Sequence, residues 1–314
     1  MSTLRTWILR LARLAVSLVA VLTLTFLMVQ LIPGDPVRQA LGPSASAALV
    51  TQRRDQLGLN EPILIQYLHY WGNALTGNFG TSIISSQPVA LIVQSRIMNT
   101  VVLVVASILA TMIISLLVGM AVGIATHRGR RPGGRFAFNI TTGLFAAIPD
   151  FLVAVVLVFV FGVTIKLFPV AGADTPSSFV LPTVAIILGS VATLSRIVRS
   201  STDTTLDQDY ILVARSKRLP RSRIYFRHAL PNTLTAALTL GGLQLGTIIT
   251  GTIIVENVFA IPGLGSALVS ALVSRDFPVA QAMMLIFASA VLVLNLVVDA
   301  LLIVFNPRSR TREA

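Results

Sequence analysis

Six runs of mostly apolar residues, each long enough to cross a bilayer as a helix, constrain this chain more than any other feature. A spanning helix needs about 20 such residues. The runs are Leu14–Ile32, Thr100–Thr126, Phe136–Leu167, Phe179–Val198, Leu234–Val255 and Val279–Phe305, with ends soft by a few residues. In hydrocarbon every backbone N–H and C=O needs an internal partner, so these runs have to be helical. Only 11% of the residues are charged, against about 25% in soluble domains. The sequence therefore predicts an all-α integral membrane protein with six transmembrane helices, forming one domain over residues 1–314.

The formal charge is +12. In a soluble chain that would point to nucleic acid. Here 18 of the 24 Lys and Arg fall on one side of the predicted membrane: the N-terminus, the second loop, the fourth loop with Arg196 at the adjoining end of the fourth span, and the tail. The positive-inside rule puts both termini in the cytoplasm. The basic surface then meets anionic headgroups, and no nucleic-acid partner is expected. The first run is longer than a signal-peptide core and no small-residue cleavage site follows it, so it reads as an uncleaved span. There is no cysteine, which excludes disulfides and thiolate chemistry. His69, His127 and His228 lie in separate segments. Metal ligands come in clusters, so neither a metal site nor a cofactor is expected.

Residues 33–99 form a long extracytoplasmic loop. Within LIQYLHYWGNAL, Leu64, Leu68, Trp71 and Leu75 recur at helical spacing. Tyr67, Tyr70 and Trp71 suit the headgroup level. Two readings fit: a helix lying on the membrane surface, or one beside the mouth of a path and touching a delivery partner. Tyr67, Trp71, Glu256 and Arg275 are the candidates for such docking. Glu256 fits equally well as an exposed helix-capping carboxylate.

The fourth loop, residues 199–233, carries DYILVARSKRLPRSRIYFRHALPNTL. Strong helix formers surround Pro220, predicting two short helices with a turn at Leu219–Pro220–Arg221. Ile211, Ala214 and Arg215 share a face. Positive-inside bias alone would account for the basic residues. Order and spacing add more: Asp209, Tyr210, Ala214, Lys217 and Leu219, then His228, Ala229, Leu230 and Asn232, resemble the EAA loop of ABC importer permeases of the peptide branch. Arg218 stands where that pattern has Gly, a position that suits positive φ. An L side chain reaches that region only at a cost, leaving the shape of the turn open.

The resemblance extends along nearly the whole chain. LIPGDP at Leu31–Pro36, LGLNEPILIQY at Leu57–Tyr67, GNFGTS at Gly77–Ser82, AAIPDF at Ala146–Phe151, VENVFAIPGLGSAL at Val255–Leu268, RDFPVAQ at Arg275–Gln281 and NLVVDALL at Asn295–Leu302 follow the family's order. The chain is similar to the B-type permease of dipeptide or oligopeptide importers. Relatives with the same long loop carry nickel chelates, glutathione or haem. The resemblance implies a type I ABC importer fold and a translocation path shared with a second, related permease as a heterodimer. It also implies two cytoplasmic ATPase subunits, an extracytoplasmic binding protein, and a place in the cell membrane. Asp209, Tyr210, Ala214, Arg215, Lys217, Arg218 and Leu219 would form the ATPase-coupling segment, moved as a rigid body when the ATPases close.

The chain itself is expected to catalyse nothing. A P-loop needs Gly-Lys-Ser/Thr, and the only lysines, Lys166 and Lys217, follow Ile165 and Ser216. An ion-driven secondary transporter is the main rival. It would need intramembrane ionisable groups, for which Asp150 and Asp299 are the candidates, but no internal repeat accompanies them. Intramembrane hydrolysis would need a Ser–His pair or two facing Asp, and neither is legible. For a substrate path, Asp150 and the fifth-span residues Gln244, Thr247 and Thr250 are the candidates. Asp150 fits a helix cap as well as a path. The stripe of Asn99, Ser107, Thr111 and Ser115 in the second span reads best as helix packing.

Overall fold

A computed structural model describes residues 3–31, 35–42, 44–56 and 58–305. In chain order its helices are α1 (Thr3–Gln30), α2 (Pro36–Leu41), α3 (Ala47–Gln56), α4 (Ile63–Thr76), α5 (Val89–Thr126), α6 (Pro132–Ala147) and α7 (Asp150–Leu157). A π-helical turn, Val158–Thr164, extends α7. Then come α8 (Val180–Leu206), α9 (Asp209–Ser216), α10 (Arg221–Arg223), a second π turn (Ile224–Ala229), α11 (Leu230–Leu243), α12 (Leu245–Val258), α13 (Leu264–Ser274) and α14 (Phe277–Phe305). The described residues contain no β-strand, only an isolated bridge between Thr81 and Pro88. Among the described residues, those up to Val102 with 260–292 form one compact unit, and those of 103–259 with 293–305 form another.

Four segments are long and apolar enough to span alone: Arg10–Met28, Val89–Gly129, Pro176–Leu206 and Phe277–Leu302. The third and fifth expected spans are bent pairs, Pro132–Ala147 with Asp150–Thr164 at 91° and Arg221–Leu243 with Leu245–Val258 at 50°. Counting each pair as one span gives the expected six. The sharper break has a local cause. Proline disfavours the helical region for the residue before it, and Ile148 sits extended at φ −80, ψ 123 ahead of Pro149. Pro231 acts similarly lower in the fifth span. It has no N–H to donate back along the helix, and the π turn just before it takes up the mismatch.

In the first unit α4 packs on α1. The Tyr67 and Tyr70 hydroxyls lie 2.8 Å from the hydroxyls of Thr23 and Thr25, and both rings contact Phe26. Asp276, buried ahead of α14, accepts hydrogen bonds from the Ser82 hydroxyl and from the Ile83 N–H at 3.1 Å. These bonds pin the end of the long loop.

In the second unit, Ser107, Thr111 and Ser115 are buried. They continue into Gly119 and Gly123 as a small-residue stripe with a spacing of four. A Cβ on Gly119 would lie 2.6 Å from the Val198 side chain, so α5 and α8 approach almost backbone to backbone. The stripe is therefore a packing seam, as small residues usually are between membrane helices. α8 also outruns its apolar run. Its last turns are polar, and Thr202 and Thr204 donate to the carbonyls of Val198 and Ser200, satisfying their hydroxyls within the helix. The helix thus runs on to Leu206, into the segment 199–233 read as a loop from the sequence.

Candidate coupling loop and cleft

α9 is the short helix predicted within the fourth loop. Asp209 in its first turn faces the positive end of the helix dipole. Ile211 and Ala214 are buried and form a cluster with Ile224, against which Leu219 and Tyr225 pack. Eight residues are too few for an isolated helix to hold, and this cluster supplies the missing support. Arg215 shares the face only partly and is half-buried.

The helix stops in a Schellman turn. Leu219 N–H donates to Ala214 O at 3.3 Å and Arg218 N–H to Arg215 O at 2.9 Å, the paired bonds of that motif. Leu219 closes it by packing over Ala214 and its neighbours. Arg218 occupies the left-handed position, φ +53. The turn keeps the backbone a glycine would give it, and Arg218 bears the strain.

The outer face of α9 is what a partner could meet. Leu212 and Val213 are 41% and 53% exposed, sharing that face with Asp209 and Ser216. Sequence reasoning singled out Ala214, which turns inward, and passed over this aliphatic pair. The signal was there: two apolar residues off the Ile211–Ala214 face of a polar loop. Lys217 and Arg218 are exposed beside them.

Tyr210 ties α9 to the fifth span. Asn232 Nδ2 donates to the Tyr210 hydroxyl at 2.9 Å and to His228 O at 3.0 Å. Burial pushes the Tyr210 phenol up from its ordinary pKa, with the Asn232 hydrogen bond pulling the other way. Just ahead of α9, His127 is buried between two carboxylates of the α8 end. Its Nδ1 lies 2.9 Å from Asp203 and its Nε2 3.5 Å from Asp207, and Asp207 also pairs with Arg128 at 3.3 Å. The turn after α5 is thereby fastened to the residues that lead into α9.

A second feature lies at the break between α6 and α7. Asp150, Thr247 and Thr250, expected together from the sequence, line one cleft of about 440 Å³ with Pro149, Phe151 and Gly246. Gln244 is not part of its lining. It stands at the bend between α11 and α12, its Oε1 buried without a hydrogen-bond partner.

The docking candidates separate. Tyr67 is engaged with α1, whereas Leu64, Leu68 and Leu75 on the same helix are exposed. Trp71 is half-buried. Arg275 is exposed at a left-handed helix end, φ +59. Glu256 departs from expectation: α12 runs through it and leaves it 0% exposed, so it is neither an exposed cap nor a docking contact on this chain's surface. The described residues hold no group of three or more His, Asp or Glu that could bind a metal.

Residues 116–311 match the family model described as "Binding-protein-dependent transport system inner membrane component". Residues 3–104 match its N-terminal companion, "Binding-prot-dependent transport system membrane comp, N-term". The chain is 38% identical over 301 residues to the glutathione transport system permease protein GsiC of Salmonella typhimurium, covering 96% of this chain and 97% of that one. It is 37% identical over the same length, with the same coverage, to GsiC of Escherichia coli strain K12. Among solved structures, a chain of the inward-facing MetNI methionine ABC transporter superposes with a TM-score of 0.60 at 16% identity, covering 70% of this chain and 99% of that one. That likeness shows a shared fold. The chain is a multi-pass membrane protein that belongs to the inner-membrane permease family of binding-protein-dependent ABC importers, with the type I fold.

Proposed function

We propose that this chain forms half of the translocation path of an importer for small peptides, and passes the motion of separate ATPase subunits to that path through α9. The observation that carries the reading is the construction of α9: a helix braced inside by Ile211, Ala214 and Ile224, stopped by a Schellman turn, and strutted by Tyr210 to Asn232 at the foot of the broken fifth span. Such a helix moves as a rigid piece and carries α11 with it. Leu212 and Val213 are the contact it offers to a groove, with Lys217 and Arg218 suited to an acidic rim.

The partners are a second, related permease completing the path as a heterodimer, two ATPases on the side of the α9 loop, and a binding protein opposite. Both termini then lie in the cytoplasm, in keeping with the 18 basic residues on that side. ATP hydrolysis belongs to the partner subunits. The cargo is a di- or oligopeptide; the GsiC relatives are named for glutathione transport, and glutathione is itself a tripeptide. Asp150, Thr247 and Thr250 line the path where the third and fifth spans break.

The importer reconstituted in proteoliposomes with its binding protein tests this. Leu212→Glu with Val213→Glu should lower cargo-stimulated ATP hydrolysis at least tenfold while this chain's own thermal midpoint holds, because both side chains point outward. Unchanged stimulation would remove α9 as the coupling element. Uptake of labelled dipeptides and of glutathione, measured side by side, decides the cargo. Uptake of neither, with active ATPases, would refute the peptide assignment.

A further inference from the structure

We infer that Asp150 makes the intramembrane cleft a selective waypoint for a positively charged group, the ammonium of an amine-bearing solute. The inference rests on the cleft being part of the path. Among the residues lining it, Asp150 is the only charged one; the rest are Pro, Phe, Gly, Thr and Ile. Among the described residues its carboxylate has no hydrogen-bond or ion-pair partner, whereas Asp203 and Asp207 near the end of α8 are paired. An unpaired carboxylate at membrane depth is expensive, and such groups characteristically mark ion or substrate pathways.

The surroundings are shaped to it. A Cβ on Gly251 would stand 2.9 Å from Asp150 Oδ2, and one on Gly189 would stand 3.7 Å from Oδ1. Two helices thus present bare backbone where the carboxyl group sits. Thr250 has its hydroxyl spent on Gly246 O at 2.9 Å, so it does not compete for the carboxylate. The break between α6 and α7 falls directly before Asp150, which stands in the first turn of α7 and lines the cleft. In a chain of net charge +12, a single acid in an otherwise neutral cleft creates a local reversal of potential. It favours a cation that arrives.

This chain has no native cysteine to compete for label, which allows a direct test in the assembled importer with the label read on this chain alone. Thr247→Cys is labelled with cationic and anionic methanethiosulfonate reagents of similar size, with Asp150 intact and with Asp150→Asn. The cationic reagent should react about tenfold faster than the anionic one beside Asp150, and Asp150→Asn should bring the ratio close to one. Glycinamide, whose only charge is an ammonium group, should slow the cationic reagent, and N-acetylglycinamide should not. A ratio indifferent to Asp150→Asn, or equal effects of the two amides, would overturn the inference and leave the path intact. If neither Thr247→Cys nor Thr250→Cys reacts while Thr51→Cys, exposed on α3, does, the path reading fails and this inference with it.

Discussion

Replacing Gly119 by Ala should destabilise the chain by about 2 kcal/mol, although alanine is the better helix former. The new Cβ would stand 2.6 Å from Val198 Cβ and Cγ1 and 2.7 Å from the Ser195 carbonyl oxygen. Relaxed carbon contacts lie at about 3.5–4.0 Å, so α5 and α8 would have to part by about 1 Å. Turning the Val198 side chain moves Cγ1 but leaves Cβ in place, and Ser195 O belongs to the helix backbone. Three short contacts, two of them to atoms that no side-chain rotation moves, put the cost near the top of the overpacking range, about 3 kcal/mol. Helix propensity returns about 1 kcal/mol. The seam also holds the cluster of Met120, Leu194, Val198 and Ala237, which separation would loosen. Gly72 in α4 is the control. A Cβ there meets nothing within 4 Å, so the same substitution should stabilise by up to about 1 kcal/mol. The thermal midpoints of the two variants in detergent, compared with the unaltered chain, should move in opposite directions. A Gly119→Ala midpoint at or above that of the unaltered chain would refute the close approach of α5 to α8.

The remaining predictions concern the loop. Arg218→Gly removes a left-handed L residue that costs about 1–2 kcal/mol and returns part of that to unfolded-chain entropy, so α9 should gain amide-exchange protection; a loss would mean Arg218 makes a contact worth more than its strain. Tyr210→Phe deletes the strut to Asn232, worth about 1 kcal/mol, and should raise basal ATP hydrolysis relative to transport; unchanged coupling would assign the bond to local packing. His127→Ala leaves Asp203 without its partner and should cost about 1.5–3 kcal/mol, read as a lowered thermal midpoint, with much of it recovered on also changing Asp203→Asn. Additive losses from the two changes would mean the pair is not coupled.

How much of this was legible depends on which physical signal each feature leaves. The spans were legible because a bilayer demands long apolar runs; the 91° break inside the third run carries a visible mark in Pro149, which disfavours helix at Ile148. The 50° bend at Gln244 leaves no such mark, since Gly241 and Gly242 are equally at home in straight, closely packed helices. The end of α8 left no mark in hydropathy, which registers the membrane boundary rather than the helix end; the helix runs on to Leu206 through threonines that bond their own backbone. Glu256 was misread for a related reason. Sequence rules send a carboxylate outward, and only tertiary packing reveals one enclosed in α12. Asp150, Thr247 and Thr250, three of the four path candidates chosen on residue chemistry, line one cleft, and Gln244 does not. An acid beside a membrane proline has few sterically and electrostatically tolerable places to go, and the opening that the proline itself makes is one of them. Arg218 shows the converse. The sequence could register that a glycine position had been filled, but whether the turn would yield depended on the bracing of Ile211, Ala214, Leu219 and Ile224. That bracing holds the left-handed backbone against the preference of the side chain. A strained position retained in this way marks the turn as one whose shape is specified by its surroundings, which is what a rigid coupling element requires.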